Sequence, residues 1–140
     1  MTISKEYVVG FLFSEDMNQV ILIKKKRPDW QNGKYNGVGG HIEENETPKE
    51  AMIREYEEEA GKRVEEWTHY VTLENTGWKV YFFFAVDNTA FLESETKTDE
   101  DIFRAISTNL PTNVIPNLRW LIPICCDNLQ FPLHLIEKNV

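Results

Sequence analysis

The stretch Thr47–Gly61, TPKEAMIREYEEEAG, constrains this chain more than any other, because it carries its own start and stop. Thr47 can cap a helix, Pro48 suits the first helical position, and Glu50 completes a Thr-x-x-Glu capping box. Gly61 can end the helix in the left-handed conformation that other residues resist. A helix over 48–60 follows. At about 100° per residue, Glu58 and Glu59 fall on either side of Glu55 and share its face, whereas Glu57 is turned about 160° away. Met52, Ile53, Tyr56 and Ala60 form a separate apolar stripe that can bury against a sheet.

Three carboxylates on one helical face repel one another. A solvated, charged face is the bland account, but such a face would interleave its signs. Here Glu55 has Glu59 rather than a lysine at i+4, and Lys62 and Arg63 lie beyond the stop. A hard divalent cation such as magnesium would remove the repulsion, since it prefers oxygen donors and bridges carboxylates to phosphate. A long Gly/Asn/Pro-rich connection, residues 27–47, leads into the helix, and loops of that length tend to be functional.

Around the helix the pattern is mostly strand. Residues 7–14 and 20–26 read as two strands joined by the turn 15–19, a plausible hairpin. Segments 67–75 and 78–86 read as two more around Thr76-Gly77. Residues 91–102 read as an acidic loop, 103–107 as a short strand, 114–126 as a second helix bent at Pro123, and 131–137 as a final strand. Strands interrupted by two main helices indicate an α/β or α+β fold with a mixed sheet. At 140 residues the chain is expected to be a single domain, 1–140.

The net charge of −8 disfavours a nucleic-acid polymer as partner, because neutralised phosphates drive that affinity. It leaves room for a small phosphorylated ligand if cations mediate. Cys125 and Cys126 are adjacent, which is poor geometry for a disulfide, so both are expected as reduced core thiols. No apolar run is long enough to span a bilayer, and the N-terminus lacks the pattern of a signal peptide. The expectation is a cytoplasmic protein, with no membrane partner, as a monomer or homodimer.

Reading back from the acidic face completes a longer pattern: Gly40, five residues, Glu46, seven residues, Arg54-Glu55, two residues, Glu58-Glu59, one residue, Gly61. This resembles the Nudix box, G-x5-E-x7-R-E-U-x-E-E-x-G-U, where U is bulky and apolar. Every fixed position is present. Tyr56 fills the first U, while Lys62 stands where the last U is expected, with Val64 available as an apolar substitute. The order of elements around the box is also similar to the family's, which implies an α/β/α sandwich.

The resemblance implies hydrolysis of a nucleoside diphosphate linked to another moiety, with magnesium or manganese. It implies metal ligands among Glu55, Glu58 and Glu59, with the carbonyl of Gly40. It also implies that Arg54 pairs with Glu46 and braces the loop against the helix. The base that takes the water proton is, in this family, a box glutamate or an acid on a distant loop. Glu100 is the leading loop candidate, with Asp99, Asp101 and Glu95 in competition. The approach Lys34–Gly40, KYNGVGG, is similar to that of MutT-like enzymes that cleanse oxidised purine nucleoside triphosphates. That similarity implies that Asn36 contacts a purine, although Asn36 also suits a turn before glycine. Asn117, or else Asn113, is a second candidate base reader. Trp78 and Trp30 could stack on a base. Lys24, Lys26 and Arg27 could meet phosphates, or simply protect an edge strand. A nucleoside triphosphate is the leading substrate. ADP-ribose, an ADP-sugar, a dinucleotide or NADH are alternatives, as is a nucleotide-binding module without turnover.

Overall fold

The computed structural model describes residues 5–127 and 132–137. Strand β1 (Lys5–Phe13) is apolar along most of its length, which suits a strand covered on both faces. It runs parallel to β6 (Trp78–Val86), from Lys5 beside Trp78 to Phe13 beside Val86. Its other edge is divided. The C-terminal end pairs antiparallel with β2 (Gln19–Lys24), and the N-terminal half pairs antiparallel with β4 (Val38–His41). The expected hairpin is therefore present, closed by a turn in which Asp16 accepts from the Ser14 hydroxyl and the Asn18 N–H.

The remaining strands are β3 (Tyr35–Asn36), β5 (Thr68–Asn75), β7 (Ile102–Ile106) and β8 (Leu133–Ile136). The sheet order is β3-β2-β1-β6-β5-β8, with β4 added to β1 and β7 to β2. The β1–β6 and β5–β8 pairs are parallel and the others antiparallel, so the sheet is mixed. Side chains alternate between its faces. Val8, Leu12, Ile21 and Ile23 join Met52, Tyr56 and Ala60 of helix α1 (Pro48–Ala60) in one core. Phe11, Phe13, Val20 and Leu22 join Leu118, Leu121 and Ile122 of helix α3 (Leu118–Ile124) in the other. Helices thus cover both faces, as the α/β/α expectation requires.

Helix α1 has the expected limits. The Thr47 hydroxyl accepts the Glu50 N–H at 3.1 Å, the Glu50 carboxylate accepts the Thr47 N–H at 2.9 Å, and Gly61 sits at φ 78°. Four expectations need correction. The acidic loop 91–102 begins inside a third helix, α2 (Asn88–Glu93), capped by Asp87 and buried through Ala90 and Phe91. Six residues are too few to show a helical period, though the Asp87 cap was a usable signal. The connection 27–47 is not loop throughout: β3 and β4 lie within it, formed by pairing to β2 and β1 rather than by β-propensity. Helix α3 is shorter than 114–126, because Val114 bridges to Tyr35 and Pro116 lies ahead of the first turn. Cys125 is buried as expected, but Cys126 is exposed. The final strand begins at Leu133, and Phe131 lies outside the described residues. No helix among the described residues is long and apolar enough to cross a membrane.

Candidate active site

The register of β4 on β1 places Gly39 beside Val9 and Gly40 beside Val8. Both glycines are needed for close approach. A Cβ at Gly39 would collide with the Val8 carbonyl, and a Cβ at Gly40 would stand 2.5 Å from Glu55 Oε1. The Glu55 carboxylate therefore lies directly over the Gly40 backbone. Glu55 is 9% exposed, whereas Glu58 presents 57% of its side chain to solvent. Glu57 points away and, among the described residues, its carboxylate reaches only Arg63, at 4.0 Å.

Arg54 is the hub of this face. Its Nε and Nη2 grip the two oxygens of Glu46 at 2.7 and 3.0 Å, a bidentate pair. Nη2 also donates to the His41 carbonyl at 3.0 Å. Nη1 donates to Glu55 Oε1 at 2.9 Å and lies 3.3 Å from Glu58 Oε2. Glu46 Oε1 accepts the Glu43 N–H as well, so one guanidinium ties the segment 41–46 to α1. Hydrogen bonding to Arg54 holds the Glu46 carboxyl below the usual glutamate range. Glu55 shifts the other way, because burial raises it more than Arg54 lowers it. Glu59 is raised too, first by burial and then by its acidic neighbours, against a hydrogen bond from Thr98.

Glu100 is 3% exposed, so it is not a solvated loop acid. Its Oε1 accepts from Lys25 Nζ at 3.2 Å and its Oε2 from the Lys26 N–H at 2.7 Å. Of its competitors, Asp99 pairs with Arg27 at the surface, Glu95 pairs with Lys97, and Asp101 is exposed.

Beside the glycine pair opens a cleft of about 900 Å³. Its floor is apolar, with Val9, Leu73, Val80, Phe82 and Ile115, and Asn36, Trp78 and Asn117 stand on its wall.

A family model described as the NUDIX domain matches residues 5–113. The chain belongs to the Nudix family. Nudix hydrolases act on pyrophosphate bonds and generally use a divalent metal. Solved structures share the fold. A NUDIX hydrolase from Nitrosomonas europaea superposes with a TM-score of 0.77 at 22% identity, over 99% of this chain and 81% of its own. A MutT structure, from work on Aliivibrio salmonicida and Vibrio cholerae, gives 0.69 at 22%, over 87% and 99%. The NUDIX domain of Shewanella oneidensis NrtR, complexed with ADP ribose, gives 0.75 at 16%, over 90% and 88%. No curated protein sequence matches the chain.

The Nudix box thus brings Gly40, Glu46, Arg54, Glu55 and Glu58 together around one guanidinium, with Glu59 on the flank nearer Glu100. Among the described residues, no three His, Cys, Asp or Glu side chains sit close enough to hold a metal ion as they stand. Arg54 Nη1 lies between Glu55 and Glu58 instead. The donors are nonetheless all oxygen, as a hard cation requires, and the exposed Glu58 side chain has room to change rotamer. The Nudix site fits such a cation.

Of the basic residues, the cleft is lined by Lys25 and Arg27; Lys24 and Lys26 lie outside its wall. Lys25 follows β2 on the parity of Ile21 and Ile23, which face α1, and its ammonium meets Glu100. Asn36, in β3, donates to Gln31 Oε1 at 3.2 Å and accepts the Gly37 N–H at 2.8 Å, so it orders the approach to the glycine pair while lining the cleft. Asn117 makes no capping bond through its side chain. Asn113 donates to the Gly33 carbonyl and is not part of the wall. Trp30, 62% exposed, stands at the rim. The cleft also uses Tyr7 and His41, whose rings lie 4.4 Å apart, and no sequence motif marked them.

Proposed function

We propose that this Nudix hydrolase is a metal-dependent pyrophosphohydrolase that converts a nucleoside triphosphate, oxidised forms included, to the monophosphate and pyrophosphate. The cleft carries this reading. Its apolar floor suits one planar base, and the carboxamides of Asn36 and Asn117 can each donate and accept, as reading a base edge requires. Trp78 supplies a stacking surface. Lys25 and Arg27, paired with Glu100 and Asp99, are the lysine and arginine of its lining and could turn to a phosphate.

Glu55, Glu58, Glu59 and the Gly40 carbonyl would hold magnesium or manganese. When bound, such a cation neutralises phosphate oxygens and lowers the pKa of a water. Arg54 and Glu46 hold the ligand-bearing helix against the glycine segment, a positioning task. Glu100 is the candidate to accept the water proton, since each of its oxygens keeps a lone pair beyond the bond it already makes.

The ADP ribose bound by the Shewanella NrtR domain motivates a second reading, an ADP-ribose pyrophosphatase on the same fold. A nucleotide panel with magnesium separates them. Pyrophosphate release from triphosphates is the expected result. Preferential cleavage of ADP-ribose would replace it with the second reading, and no turnover on any member would mark a binding module.

A further inference from the structure

The last carbonyls of α1 have no donors within the helix. The segment after α2 supplies them. The Glu95 N–H donates to the Ala60 carbonyl at 3.1 Å, and the Lys97 N–H to the Glu59 carbonyl at 3.2 Å. Glu59 therefore anchors this segment through its backbone. It also does so through its side chain, because the Thr98 hydroxyl donates to Glu59 Oε2 at 3.0 Å. The same Thr98 oxygen accepts the Glu100 N–H at 3.1 Å. The direction of this chain is fixed by chemistry. An ionised carboxylate can only accept and a backbone N–H can only donate, so the single hydroxyl proton must point at Glu59. One side chain thus spans an acid on the helix and an acid on the loop.

We infer that Thr98 is a positioning residue, which sets the Glu59 carboxylate for the cation and registers the Glu100 segment against it. The inference rests on Glu59 being a metal ligand, as proposed above. Thr96 provides the internal control. Its hydroxyl accepts the Ile102 N–H at 3.0 Å and so staples the same segment without a bond to either acid.

The test is Mn2+ titration of the nucleotide-free protein by electron paramagnetic resonance, with amide hydrogen exchange over residues 95–101. Thr98 is exposed, so Thr98→Val is expected to fold, which circular dichroism checks. It should weaken Mn2+ about tenfold, as loss of a partner behind a metal ligand does, and speed exchange in the segment. Thr98→Ser should restore both. Thr96→Val should speed exchange and leave Mn2+ affinity unchanged. Wild-type Mn2+ affinity in Thr98→Val, failure of the serine to restore it, or equal weakening in Thr96→Val would overturn the positioning role. Glu59→Gln separates the two claims. Wild-type Mn2+ binding by that variant would remove Glu59 as a ligand, whereas weak binding by it beside normal binding by Thr98→Val would sink the Thr98 role alone.

Discussion

The acidic face of α1 and the wall of the cleft touch at Gly40, yet they are built in opposite ways. The acidic face is local. Arg54, Glu55, Glu58 and Glu59 lie within six residues, and one guanidinium links Glu55 and Glu58 there to Glu46 of the preceding loop. The cleft is assembled from afar, by β1, β4, β5, β6 and the start of α3. Its lining is mostly apolar. The first region is arranged to hold charge in place, and the second to accept a shape. The difference predicts how each should fail: changes on the acidic face should reduce turnover, and changes on the cleft wall should reduce binding.

The sharpest contrast lies within one turn of helix. Glu58→Gln should lower kcat/KM about a hundredfold or more by removing a cation donor. Glu57→Gln, whose carboxylate meets only Arg63 among the described residues, at long range, should stay within about twofold. Equal losses in steady-state assays of the two would break the division of the helix into faces. Next in size is the brace. Arg54→Ala strands the buried Glu55 and the Glu46 carboxylate without their cation, and should cost about 2–4 kcal/mol in denaturant unfolding. Arg54→Lys should recover only part of that, because an ammonium cannot grip Glu46 through two donors. Full recovery would mean that charge alone matters.

Cleft substitutions should be milder and fall on KM. Trp78→Ala and Asn117→Ala should each raise KM about tenfold with kcat little changed. A fall in kcat without change in KM would move these residues from binding to chemistry. This contrast also explains what the sequence could reveal. The helix limits, its faces and the Arg54–Glu46 spacing depend on residues within one short segment, so periodicity and capping rules reach them. Lys25, Tyr7 and His41 enter the site through strand pairing across long sequence separations. No local pattern singled out any of the three, and the sequence pointed to Lys24 and Lys26 in place of Lys25. Asn36 suited a turn before glycine by local rules, but pairing with β2 places it in strand β3 on the cleft wall. Glu100 was legible as an acid in the right segment. Its burial against Lys25 depends on how β7 meets β2, which no local pattern encodes.

The smallest expected effect is a pH dependence of stability without metal. Burial raises Glu59 above the ordinary glutamate value of 4.5. Between that ordinary value and the raised one, the folded state holds a proton that the unfolded state has released. Folding is therefore favoured at the acid end, and that contribution disappears as pH rises through the folded value. Glu59→Gln removes the titration while keeping an acceptor for the Thr98 hydroxyl. In chelator at neutral pH the variant should melt roughly 2–5 °C above wild type, and the gap should close below about pH 4.5. Magnesium binds only the folded state and should reverse the order by stabilising wild type. Thermal melts across pH, with and without magnesium, read both arms. A gap that ignores pH would mean that Glu59 is not held under electrostatic strain. A gap that magnesium leaves unchanged would place the cation away from this end of the acidic face.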